Sequence, residues 1–155
     1  MPDDLTIRAL LDTETSGVLA TLSARRDGWP FASVAPYALS DAGEPLLLLS
    51  RLAEHTRNLQ ADARASLLVQ DHASLSEPQA GARVTILGQI DTVVEPELQS
   101  ARRRYLDRHP QAAAYLELGD FQLYVLRVRE ARFIGGFGDM GWMDAERFHA
   151  YQTHI

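Results

Sequence analysis

The sequence contains no cysteine. That excludes a disulfide framework, a thiolate nucleophile and a cysteine-ligated zinc site, and it fits a reducing, cytoplasmic setting. Lysine is missing too, because all 15 basic residues are arginine. Schiff-base chemistry on lysine and a Walker-type phosphate lysine therefore drop out, whereas the guanidinium fork suits phosphate and carboxylate. No apolar run reaches the roughly 18 residues that a membrane helix needs. Asp3 and Asp4 stand where a signal peptide would be basic. Positive charge is also short. With a net charge of −6, the chain lacks the basic face on which nucleic-acid binding depends.

What is present has the balance of one globular domain over 1–155: 155 residues, 46% hydrophobic and 23% charged. A chain of that length buries a sizeable core without staples. Asp3 or Asp4 caps a first helix holding Leu5, Ile7, Leu10 and Leu11, with Gly17 as its stop. Val18–Ser23 and Trp29–Leu39 read as strands joined by the turn signal Arg25-Arg26-Asp27-Gly28. Pro30 and Pro36 mark the second strand as an edge or a bulge.

Leu46–Leu49 reads as a fully buried strand, Leu52–Ala61 as a short helix and Ala65–Val69 as a strand. After a loop at 72–81 come a long strand over Arg83–Val94, a helix from Pro96 to His109, and a shorter helix over Gln111–Leu118. Two strands, Phe121–Arg129 and Ala131–Phe137, precede a closing turn and short helix. Hairpin-linked strands with few helices predict a small, mostly antiparallel barrel. Apolar residues on both strand faces predict a partner subunit.

Gly136-Phe137-Gly138-Asp139-Met140-Gly141 matches G-x-G-x-x-G letter for letter. A dinucleotide fingerprint needs a following βαβ unit and an acidic residue about 20 positions on, and the 14 residues after Gly141 offer neither. The block reads instead as a glycine turn that lets backbone approach a ligand or a partner subunit. Leu46–Ser50 feeding a helix that bears His55, Thr56, Arg57 and Asn58 suits an anion corner; the same spacing also suits a simple N-cap with a solvated polar face. Arg83 opens the long strand as a ligand contact or an exposed ion pair. Trp142 reads as cofactor cover or as core. Arg102-Arg103-Arg104 reads as a solvated helix face. His55, His72, His109, His149 and His154 show no metal spacing, and no GxSxG element occurs.

Taken in order, the blocks Gly28 to Tyr37, Leu49-Ser50, His55 to Leu59, Arg64 to Leu68 and Arg83 to Gly88 resemble the FMN-binding split-barrel superfamily, whose reference member is pyridoxamine 5′-phosphate oxidase. The block Ala131 to Gly138 resembles the haem-utilisation, HugZ-like branch. The resemblance implies a mostly β fold with flanking helices, a six-stranded antiparallel split barrel that is homodimeric, with FMN at the dimer interface. It places Ser33, Val34, Ala35 and Pro36 along the flavin and Ser50, His55, Thr56 and Asn58 around its phosphate. Arg83 falls at a ring contact, and Phe137 and Trp142 come from the partner. Where the oxidase carries cationic phosphate ligands, this chain has Ser33, Ala38 and His55. The function implied is an FMN-dependent oxidoreductase acting on a small-molecule substrate. The alternatives are a haem-binding or haem-degrading protein, motivated by the C-terminal block with His149 and His154, and a cofactor-free binding module.

Overall fold

The computed structural model describes residues 4–136 and 138–150; Phe137 and His154 lie outside them. Helix α1 (Asp4–Thr13) leads into strands β1 (Ser16–Leu22), β2 (Pro30–Pro36), β3 (Ala38–Leu39) and β4 (Pro45–Ser50). Helix α2 (Glu54–Ala61), β5 (Arg64–Gln70), β6 (Arg83–Thr92) and helix α3 (Glu97–Arg108) follow. The chain continues through helix α4 (Ala113–Leu116), β7 (Phe121–Ile134), β8 (Met140–Asp144) and helix α5 (Ala145–Ala150). Among the described residues, no helix is long and apolar enough to cross a membrane.

The strands form one antiparallel, curled sheet in the order β2-β1-β5-β6-β7-β4-β3, with β8 also paired to β7. The expectation of six strands is corrected to eight among the described residues. One addition is β8, where a closing turn was expected. The two strands expected at 121–137 are a single 14-residue strand, β7. Its pairing with β6 slips by one residue: Leu87 faces Glu130 but Gly88 faces Val128, so Arg129 is the extra residue of a bulge. A bulge sharpens local twist and helps the sheet curl. Gly88 is obligatory there, because a Cβ would stand 2.0 Å from the Arg127 carbonyl oxygen.

Strands β4 and β8 share one edge of β7 and leave a gap between Val125 and Glu130. The buried Glu44 fills it: its Oε2 accepts the Val128 N–H at 2.7 Å, and Arg127 and His149 approach the same carboxylate at 3.3 and 3.4 Å. A side chain thus substitutes for a missing strand partner, which a buried N–H requires.

Alternation along the strands sends Leu19, Leu67, Val84, Ile86 and Phe133 to the inner face, where Ile7 and Leu11 of α1 and Phe148 of α5 close the core. A second cluster lies across the outer face of β4 and β7: Leu46, Leu123 and Val125 pack under Ala101 and Tyr105 of α3. Buried from both sides, β4 reads as an unbroken leucine run. Among the described residues, the outer face of β1, β2, β5 and β6 has no such helical cover.

Candidate functional site

Two regions bring the candidate residues together. The first is the corner where β2, the end of β4 and α2 meet. Ser50 ends β4, and its carbonyl accepts the Thr56 hydroxyl at 2.5 Å, while its own Oγ accepts the Leu52 N–H at 3.2 Å. Asn58 is fully buried; its amide donates to Thr21 Oγ1 at 3.0 Å and accepts from the Ala24 N–H at 2.9 Å, pinning α2 to β1. Thr56 and Asn58 therefore spend these groups inside the fold. His55 lies one turn earlier on the same helix, with Nδ1 3.3 Å from Ser33 Oγ. Its Nε2 is buried without a hydrogen-bond partner. Desolvation lowers the His55 pKa below its ordinary value, favouring the neutral imidazole. Assigning the proton to Nδ1, so that it donates to Ser33, leaves a bare lone pair on Nε2.

The second region is the uncovered outer face. Register sets Val34 beside Val18, Val18 beside Leu68, Leu68 beside Thr85, Thr85 beside Arg132 and Arg132 beside Trp142. Val34 is 75% exposed and Trp142 54%, and Pro36 and Met140 are also exposed. Trp142 is therefore not part of its own barrel's core; its indole ring lies 5.6 Å from the Arg132 guanidinium. Ala35 points inward and is buried, and Ser33 is half-buried. Arg83 uses Nη1 on the carbonyls of Pro78, Gln79 and Gly81, each at 3.2 Å, which ties down the loop before β6.

Sequence reasoning overlooked Arg132 and the Val18–Leu68 stripe, although the alternation in 16–22 and in 140–144 carried the signal. It also read Arg102-Arg103-Arg104 as wholly solvated, whereas Arg104 donates to the Leu39 carbonyl at 2.6 Å. His72 and His149 are engaged by Glu14 and Glu44. His109 is buried, with Nε2 donating to the Tyr37 carbonyl at 2.7 Å.

Residues 5–150 match the family model described as CREG, beta-barrel. Among solved structures, a heme binding protein from Mycobacterium smegmatis superposes with a TM-score of 0.87 at 36% identity, over 97% of this chain and 61% of that one. The chloroplastic heme oxygenase HOZ of Arabidopsis thaliana is 33% identical over 84% of this chain and 39% of its own length. The chain thus spans less than two thirds of each of these two relatives. A Clostridium acetobutylicum protein of the pyridoxinephosphate oxidase family superposes at a TM-score of 0.70 and 13% identity, over 95% of this chain and 99% of that one, which shows a shared split-barrel fold.

Proposed function

This chain belongs to the CREG β-barrel family, and from that premise we propose that it binds haem on the outer face of its sheet, with a second copy of the chain closing the site. The observation that carries the reading is the 36% identity, across 97% of the chain, to a protein described as heme binding. The residues fit such a ligand. Haem is a flat apolar ring with two carboxylates and an iron that takes an imidazole nitrogen. Val34, Pro36 and Trp142 are exposed apolar groups of the kind that cover a ring. Arg132 and the N–H groups of Arg83 that have no partner among the described residues are of the kind that bind carboxylates. His55, with its buried, unpartnered Nε2, bonds Ser33 on the opposite side of β2 from Val34 and is not among the residues of this face.

Ser33, Ala35, Ser50, Thr56 and Asn58 hold the wall of the corner, and Phe137 belongs to the same assignment. When bound, haem would supply oxidative iron chemistry; the chain supplies orientation, an apolar environment and charge pairing. FMN fits less well, because its phosphate needs free donors and cations. Thr56 and Asn58 are committed internally, and burial disfavours the charged form of His55.

The second copy follows from the bare apolar face. A stripe half-buried along its middle and exposed at its ends, Val34 at one edge and Trp142 at the other, suits a two-fold axis that would set each Trp142 near the other copy's Val34. The test is titration of the purified protein with haemin and, separately, with FMN. A saturable Soret band with haemin and unquenched FMN fluorescence are expected. Val34→Asp should weaken haemin at least about tenfold, since it places a charge against the ring. A haemin titration with no saturation and no shift of the free-haemin band would overturn the reading and favour a cofactor-free module.

A further inference from the structure

A groove of about 400 Å³ opens on the outer face beside the end of β1, the start of β5 and the middle of β6. Leu22, Pro30, Ala65 and Leu87 make its apolar walls. The bulge contributes to its lining: Gly88 and the extra residue Arg129 both border it, Arg129 at the rim. Arg129 is exposed and has no hydrogen-bond or ion-pair partner among the described residues. The other rim arginine, Arg64, is held by Asp62, with Nη2 at 2.6 Å and Nε at 3.0 and 3.2 Å from the carboxylate. Glu130 adds a negative charge to the rim. One free guanidinium accepts one anionic group, and Glu130 repels a second.

We propose that this groove binds an amphipathic monocarboxylate, with the carboxylate on Arg129 and the apolar chain along Leu22, Pro30 and Leu87. The site adjoins the haem assignment, two residues along β1, β5 and β6 from Val18, Leu68 and Thr85, and differs from it in charge, since haem carries two carboxylates. The experiment is calorimetric titration of the full chain with dodecanoate. Saturable binding is expected, weakened by about tenfold or more in Arg129→Ala, because a charge-assisted hydrogen bond is lost. Arg129→Lys should recover part of that loss, and haemin titration of Arg129→Ala should match the unsubstituted chain. Failure of haemin to bind anywhere would leave these dodecanoate results standing. Three results would overturn the proposal: no saturable uptake, equal affinity in Arg129→Ala, or a change of sedimentation in Arg129→Ala showing that a second copy fills the groove.

Discussion

The two halves of the sheet share an inner core but differ on their outer faces. Over β4 and β7, α3 lays Ala101 and Tyr105 on Leu46, Leu123 and Val125, so those strands are sealed on both sides. Among the described residues, no helix packs on the outer face of β1, β2, β5 and β8 in the same way, and Val34, Met140 and Trp142 stay exposed. The sealed half completes its packing within one chain, whereas the open half presents apolar surface that a single chain leaves in water. Charge follows the same division: Glu44 pairs with both Arg127 and His149 where β7 is sealed, while Arg129 on the open side has no hydrogen-bond or ion-pair partner among the described residues.

The comparison breaks most directly at the shared core. Phe133→Ala, at a fully buried ring on the inner face, should cost about 3–5 kcal/mol in urea unfolding. A cost below about 1 kcal/mol would mean that the inner face is not the core both halves share. Asn58→Ala comes next. It removes both bonds that pin α2 and leaves the Ala24 N–H unpaired, a loss of about 1–3 kcal/mol by the same measurement.

The pH dependence at His55 is smaller. Its folded-state pKa is lowered by burial, so the unfolded chain binds the proton more readily. Its contribution to stability is full above the ordinary histidine pKa and falls as pH drops through that range. The urea midpoint of the unsubstituted chain should therefore fall more steeply on acidification than that of His55→Gln; parallel curves would refute a desolvated imidazole. Smallest of all is Trp142→Ala in the isolated chain, which should shift stability by no more than about 0.5 kcal/mol because the ring is exposed. A loss of several kcal/mol would place Trp142 in the core after all.

The sequence showed the sealed half most clearly. Leu46–Leu49 lies in a strand buried on both faces, and the edge character of β2 was visible in Pro30 and Pro36. The strand break expected near Glu130 is a bulge. Local alternation cannot tell the two apart, since the extra residue is absorbed by the partner strand at Gly88. Strand β8 was missed because glycines surround it, although Met140, Trp142 and Asp144 point outward while Met143 is buried. In the corner, residue types were legible and their hydrogen-bond partners were not. Thr56 and Asn58 look like ligand donors in one dimension, and only the register with Ser50, Thr21 and Ala24 shows them tied to the fold. The open face was the hardest to see, because its stripe is assembled from β1, β2, β5, β6, β7 and β8 and exists only once their register is set.

The central claim is that the open half is where haem and a second copy meet. Sedimentation velocity of the haemin-loaded protein, recorded at both the protein and the Soret wavelengths, tests it in one run. The account predicts a single boundary at the mass of two chains that carries the Soret absorbance, and its loss in Val34→Asp. A Soret-absorbing boundary at the mass of one chain, or a two-chain boundary with no Soret absorbance, would contradict it.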